Sequence, residues 1–314
     1  MSAIRHFTGI AGAAALGGRP LHLAVGMFDG VHLGHRAVIE AAVRSARGGG
    51  AAAGVLTFRP HPSALLQPGN PTRLMQDSAT QARVLGRLGM DVVITQPFTR
   101  EFAMLEAGQF LPWLRSHLHR LEAIHVGENF RFGRGRQGDV PLLKEAGRAL
   151  GLRVFSAPRV NLDGEPVSST RVRERLQAGD IGAVNALLGY IYFSAGRVAG
   201  GRRLGRELGF PTLNLDWSPG LPPRFGVYAV RVAGGNTAGS LPAVANYGVR
   251  PTVDESKDPR LEVHVLGDCP WGEGDEVTVE WLAFLRPEMK FAGVAELREQ
   301  IARDRDVAAA FLRR

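Results

Sequence analysis

Up to about residue 160 the chain alternates short apolar runs with helical stretches; beyond residue 188 the alternation stops and strand-like runs follow one another. Apolar runs at 21–25, 53–58, 91–95, 124–127 and 153–157 enclose helical patterns at 36–47, 78–88, 108–119 and 141–150. Pro141 suits a first helical turn, and Gly89 and Gly151 suit helix ends. Strand–helix alternation of this kind specifies a parallel, doubly wound sheet of Rossmann type. A helix at 180–188, with Asp180 as N-cap, closes this region. Strand-like runs then appear at 190–198, 211–215, 226–233, 242–247, 261–266 and 276–284, with Gly, Pro and Asn between them. They predict a small antiparallel barrel, followed by a C-terminal helix from residue 294. The fold class expected is therefore α/β followed by a β-barrel, with domains at 1–187 and 188–314. A chain of 314 residues can bury a core in each.

Sheets of the first type bind ligands beyond the carboxyl ends of their strands. The segment Gly26-Met27-Phe28-Asp29-Gly30-Val31-His32-Leu33-Gly34-His35 stands at such an end, between the first strand and its helix. Glycines let the backbone approach a ligand closely, and the helix start offers free N–H groups to phosphate. His32 and His35 can donate hydrogen bonds to charge developing on a phosphoryl group. Two surface histidines in a Gly-rich turn are the plain alternative. The HxGH pattern at this junction is similar to that of the adenylyltransferase superfamily.

The charge is +8 with a pI near 10.4. Arginines gather at 131/134/136, 171/173/175 and 202/203/206, in Gly- or Ser-rich turns and not along one stripe. That distribution fits small anionic ligands and argues against a nucleic-acid duplex as partner. A single cysteine, Cys269, excludes an internal disulfide and a cysteine metal cluster, which suits a reducing cytoplasm. No apolar run has membrane-spanning length, and no cleaved leader or membrane association is expected.

Further motifs, in order, are LTFRPHP (56–62), VGENFRFGRGRQGD (126–139), VSSTRVRERL (167–176), GRELGFPTLNL (205–215), PPRFGVYAV (222–230), ANYGVRPT (245–252), LEVHV (261–265) and FLRPEMKF (284–291). Together with GMFDGVHLGH, they make the chain resemble the bacterial bifunctional riboflavin kinase/FAD synthetases over nearly its whole length. The resemblance implies an N-terminal module that transfers AMP from ATP to FMN and a C-terminal module that phosphorylates riboflavin with ATP. Mg²⁺ would serve both steps. Partners would be small molecules, with self-association left open.

In the first module the resemblance implies that Gly26, Phe28, Asp29 and Gly30 shape the turn beneath ATP and that His32 and His35 meet its phosphates. Ser169, Thr170 and Arg173 would reach the triphosphate, with helix capping as the structural alternative for the neighbouring Ser168. Asn129 would lie near nucleotide or flavin, or else be a buried amide serving its loop. Thr57 and His61 would face the flavin. The family has Asn where Met27 stands and more often Glu where Arg59 stands, so neither residue is assigned.

In the second module no G-x-x-x-x-G-K-[ST] loop or protein-kinase motif occurs. Glycines 196 and 205 belong to a segment that would hold phosphates, a surface hairpin being the alternative. Thr212 and Asn214 would bind Mg²⁺ with hard oxygens. Glu262 would be the general base for the riboflavin hydroxyl, where the residues alone suggest a solvated carboxylate. Arg286 and Trp271 would border the flavin. The segment 266–272 is shorter than the family's acidic, aromatic turn. That departure raises a second reading, an adenylyltransferase with a weakened or inactive kinase. A nucleic-acid-binding HxGH protein leaves LGFPTLN and LEVHV unexplained, and a non-catalytic flavin-binding regulator would leave His32, His35 and Glu262 idle.

Overall fold

The computed structural model describes residues 4–16, 18–200, 209–235, 237, 239–249 and 259–313. They divide into two units, Met1–Ser169 and Thr170–Arg314.

The first unit is built on a six-stranded sheet of β1 (Arg5–Thr8), β2 (Leu21–Val25), β3 (Ala52–Arg59), β4 (Val92–Pro97), β5 (Leu121–Gly127) and β6 (Arg153–Ala157). The order is β1-β4-β3-β2-β5-β6, and every pairing is parallel. All five residues of β2 are buried, as a central strand covered on both faces requires. The helices are α1 (Leu33–Gly48), α2 (Pro62–Leu66), α3 (Ser78–Arg87), α4 (Arg100–Ala103), α5 (Ala107–His117) and α6 (Val140–Ala149). Asp77, Thr99 and Asp139 cap α3, α4 and α6 with side-chain oxygens. The expected parallel α/β sheet is present. Strand β1 was not expected: its residues are mostly exposed at the sheet edge, so Arg5–Thr8 carries no apolar run.

Two histidines lie inside this sheet. His22 on β2 is 1% exposed and His125 on β5 is 3% exposed. Their rings stack 6.1 Å apart, and the His125 ring also stacks on Phe155 at 4.9 Å. Burial, reinforced by His22 and Arg153, lowers the His125 pKa from 6.5 to about 4. Below about pH 6.5 the unfolded chain therefore binds a proton that the folded chain refuses. Stability is full above that pH and declines as pH falls toward 4, by about 3 kcal/mol in all. Thermal unfolding of the first unit should shift to lower temperature between pH 7 and pH 5. His125→Phe should flatten that dependence, and an unchanged pH profile in this variant would exclude His125 as the source.

A short hairpin, β7 (Asn161–Leu162) and β8 (Glu165–Pro166), precedes α7 (Ser169–Ala178) and α8 (Ile181–Leu188). Strands β9 (Phe193–Ala199), β10 (Leu213–Asp216), β11 (Gly226–Gly234), β12 (Leu241–Gly248), β13 (Arg260–Val265) and β14 (Glu276–Arg286) form a closed antiparallel barrel in the order β10-β13-β12-β11-β14-β9. The interior is filled by aromatic rings: Tyr228, Tyr247 and Trp281 are fully buried, and the first two lie 4.7 and 6.3 Å from Trp281. Helix α9 (Val294–Leu312), the expected C-terminal helix, lies on β11, β12 and β14.

Helix α8 also packs on β14, burying Ile181, Val184, Leu187 and Leu188. Asn185 donates to the Trp281 carbonyl at 3.0 Å and accepts from the Tyr192 N–H at 2.7 Å. Each such apolar side chain contributes about 1.5–3 kcal/mol. A fragment 170–314 should therefore unfold more than about 10 °C above a fragment 188–314. Equal melting temperatures would mean that α8 adds nothing to the barrel.

Candidate active sites

Strand β2 carries the HxGH turn to the carboxyl edge of the sheet. His32 is the N-cap of α1, and its Nδ1 accepts the His35 N–H at 3.2 Å. In the neutral ring this makes Nε2 the donating nitrogen. The two imidazoles stack at 3.6 Å with 15° between their planes, and Phe28 meets the His35 ring edge-on at 5.3 Å. A side chain at Gly34 would begin 3.2 Å from the His32 ring and 3.5 Å from the Val167 carbonyl, which explains the small residue between the histidines.

The turn before them is strained. Phe28 (φ 49°) and Val31 (φ 43°) occupy the left-handed region, at about 1–3 kcal/mol each. Several bonds offset that cost. Thr57 Oγ1 donates to the Met27 carbonyl at 2.8 Å, and the Asp29 carboxylate accepts the Met75 N–H at 3.0 and 3.3 Å. Gln81 Nε2 donates to the carbonyls of Met27 and Phe28 at 3.0 and 2.9 Å. Ser169 Oγ donates to the Asp29 carbonyl at 3.2 Å. Met27 contributes its backbone here while its side chain packs on the core.

In the barrel, Asn214 on β10 stands opposite Glu262 on β13, and Glu262 stands opposite Asn246 on β12. Residues directly opposite share a face, so the three form one lateral polar row. Their neighbours Leu213, Leu215, Leu261, Val263, Ala245 and Tyr247 are buried, which puts the row on the outer wall. Asn214 Oδ1 is buried without a hydrogen-bond partner. His264 Nδ1 bonds the Pro211 carbonyl at 2.8 Å and so ties the Pro211-Thr212 segment to β13. Asn246 is not among the expected site residues, although it lies in the ANYGVRPT motif.

The two units match two family models in turn. Residues 18–171 match FAD synthetase and residues 188–312 match riboflavin kinase. The bifunctional riboflavin kinase/FMN adenylyltransferase of Escherichia coli K12 is 38% identical, over 92% of this chain and 92% of that protein. The chain belongs to this family. The Pseudomonas fluorescens and Bacillus subtilis enzymes of the same name are 38% and 32% identical, each covering 91% of this chain and 90% of theirs. A solved Streptococcus pneumoniae structure, described as a macrolide-efflux protein, superposes with a TM-score of 0.84 at 27% identity, over 98% of this chain and 99% of that one. Efflux is a description of that protein. No helix among the described residues here is long and apolar enough to cross a membrane.

In the FAD synthetase half, Gly26, Phe28, Asp29 and Gly30 form the turn itself, with Asp29 2% exposed. Thr57 is 1% exposed and faces Met27, so it braces the turn and does not present its hydroxyl to a flavin. His61 caps α2, its Nδ1 accepting the Ser63 N–H at 3.1 Å. Asn129 is exposed, not buried; with its amide oxygen turned to Arg159 it accepts from Nη2 at 2.6 Å. Thr170 and Arg173 follow Ser169 on α7, in the second unit. Arg131, Arg134 and Arg175 are engaged by Asp139, Glu106 and Asp180.

Two features of this half escaped the sequence reading. One is a set of rings beyond β3, β4 and β5, with Phe58, Phe98 and Trp113 at 5.5, 5.8 and 5.0 Å from Phe102. The other is a cleft of about 550 Å³ between α1 and the ends of β5 and β6, lined by Ala37, Ala41, His125, Phe155, Ala157 and Pro158.

In the riboflavin kinase half, Gly196 serves packing: a Cβ there would lie 2.7 Å from the Asp216 carbonyl. Gly205 lies outside the described residues. Arg286 continues the row beyond Asn246 and Val227. Its guanidinium is taken by Asp304 in a forked pair at 2.8 and 2.7 Å, so it clamps α9 to the barrel wall and does not offer that fork to a flavin. Trp271 is only 8% exposed and donates to the Gly234 carbonyl at 3.1 Å. Gly234 is roughly 20 Å along β11 from Val227, which is level with Glu262. Trp271 thus stands apart from the proposed base, at the far end of β11.

Proposed function

We propose that the chain makes FAD in two steps at the two polar clusters described above, with residues 1–187 as adenylyltransferase module and 188–314 as kinase module. Riboflavin is phosphorylated to FMN, and FMN is adenylylated to FAD with release of pyrophosphate; ATP is the donor in both steps. The observation that carries the reading is that each module holds its own cluster, the stacked His32–His35 pair in one and the Asn214–Glu262–Asn246 row in the other.

In adenylylation the FMN phosphate attacks the α-phosphorus of ATP in line, and pyrophosphate leaves. No covalent enzyme intermediate is required, so positioning and charge stabilisation carry the rate. His32 and His35 donate to the phosphate oxygens, and the N–H groups at the start of α1 add to that field. The adenosine end extends toward the cleft beside α1, and the rings around Phe102 wall the flavin side. Ser169, Thr170 and Arg173 hold the triphosphate.

In the kinase, Glu262 takes the proton of the riboflavin 5′-hydroxyl as that oxygen attacks the γ-phosphorus and the bond to the β,γ-bridging oxygen breaks to release ADP. Asn246 orients the carboxylate from the next strand. The orphaned Asn214 Oδ1 and the neighbouring Thr212 hydroxyl suit a hard cation, and we assign them to Mg²⁺. When bound, Mg²⁺ would neutralise phosphate charge. The substrates are small molecules, not nucleic acid, and the setting is the cytoplasm.

The test is incubation with riboflavin and Mg-ATP, followed by chromatographic separation of the flavins. Formation of both FMN and FAD supports the reading. FAD formed only from added FMN selects the weakened-kinase alternative. Failure of both conversions overturns it, and full activity in excess EDTA would remove Mg²⁺.

A further inference from the structure

The turn that presents His32 and His35 is held from outside by one side chain whose role nothing so far assigns. Gln81, on α3, is 2% exposed. Its amide nitrogen lies 3.0 Å from the Met27 carbonyl and 2.9 Å from the Phe28 carbonyl, which spends both of its N–H donors on the turn. Phe28 is one of the two non-glycine residues of that turn in the left-handed region, and its ring packs edge-on against His35. On the other side of the amide, Arg59 Nη2 donates to the Gln76 carbonyl at 2.9 Å and lies 3.5 Å from Gln81 Oε1. Burial lowers the pKa of that guanidinium, and the Asp29 and Asp77 carboxylates oppose the shift only in part.

We propose that Gln81 is a positioning residue for adenylyl transfer, backed by Arg59. Its side-chain bonds go to the turn's backbone and to Arg59. It fixes the carbonyls of residues 27 and 28, and through them the seat of the Phe28 ring against His35. The proposal rests on the assignment of the HxGH turn as the adenylylation site. It also gives Arg59 a use in this chain: the guanidinium closes the gap between β3, the 76–77 segment and α3, so that the Gln81 amide faces the turn.

Gln81→Met keeps side-chain length and removes both donors. A misplacement of about 1 Å at a reacting group costs up to about a hundredfold. The expected result is a fall of about ten- to a hundredfold in kcat for FMN to FAD, with KM for ATP and for FMN within about twofold of the wild type. Riboflavin phosphorylation by the same chain should be unchanged. A general loosening of the unit would raise KM as well, so the split between kcat and KM separates positioning from mere stability. Should the Met variant fail to fold, Gln81→Glu preserves the shape, keeps a partner in Arg59, and presents oxygens where donors are needed; the same fall in kcat is expected. Unchanged kcat in a folded variant, or a change confined to KM, would overturn the proposal. His35→Ala is measured in parallel: if that variant adenylylates FMN normally, the site assignment itself falls, and the proposal with it.

Discussion

His35→Ala should slow FMN to FAD by about 10²–10³, the usual cost of deleting one preorganised donor to a developing phosphoryl charge, while riboflavin to FMN proceeds at its normal rate. The selectivity follows from placement: His35 belongs to the turn after β2, and the proposed kinase row lies on β10, β12 and β13. Its ring is also one face of a 3.6 Å stack with His32, so the substitution removes a donor and the support of its neighbour together. The fall should be in kcat more than in KM, because the donors act where charge builds up. Comparable loss of both conversions in a folded variant would contradict separate sites. Separate assays of FAD and FMN formation decide it.

Glu262→Gln is expected to reduce riboflavin phosphorylation by about 10²–10⁴, the range spanned by general-base catalysis. Adenylylation of added FMN should be untouched. The amide keeps the size of the side chain and its place opposite Asn214 and Asn246, so the barrel has no reason to unfold. What is lost is the ability to accept a proton. Turnover near the wild-type level would remove Glu262 as base, and its place on the row would then be one of binding alone.

Periodic segments were the readable part of this sequence. Strand β2 and strand β6 occur where their apolar runs put them, and Asp180 does cap α8. Strand β1 was silent because an exposed edge strand needs no apolar residues. The histidine pair stands out because a short motif holds it, and Glu262 becomes a candidate only through the family resemblance. Contacts across long separations were not legible: Gln81 and Phe28 are 53 residues apart, and nothing local in either segment announces their bond. Thr57 and Arg286 lie inside motifs and Trp271 follows one, which makes all three candidates for facing ligands, whereas the fold turns Thr57 to Met27, Arg286 to Asp304 and Trp271 to Gly234. A motif fixes which residues are near a site. Side-chain direction is decided by the partners that tertiary packing supplies.

Strand β13 has a consequence for how such an enzyme can change over time. Its buried residues Leu261, Val263 and Val265 belong to a barrel interior packed with aromatic rings. The alternate positions, Glu262, proposed above as the base, and His264, which bonds the Pro211 carbonyl, are only half-buried. The strand is thus a two-track tape: one parity of residue carries the fold, and the other holds the proposed base. Drift on the outer track can alter what is bound without threatening the core, and drift on the inner track can tune heat resistance without touching turnover. A kinase built this way can lose its activity and remain a sound barrel, leaving the other module its full scaffold.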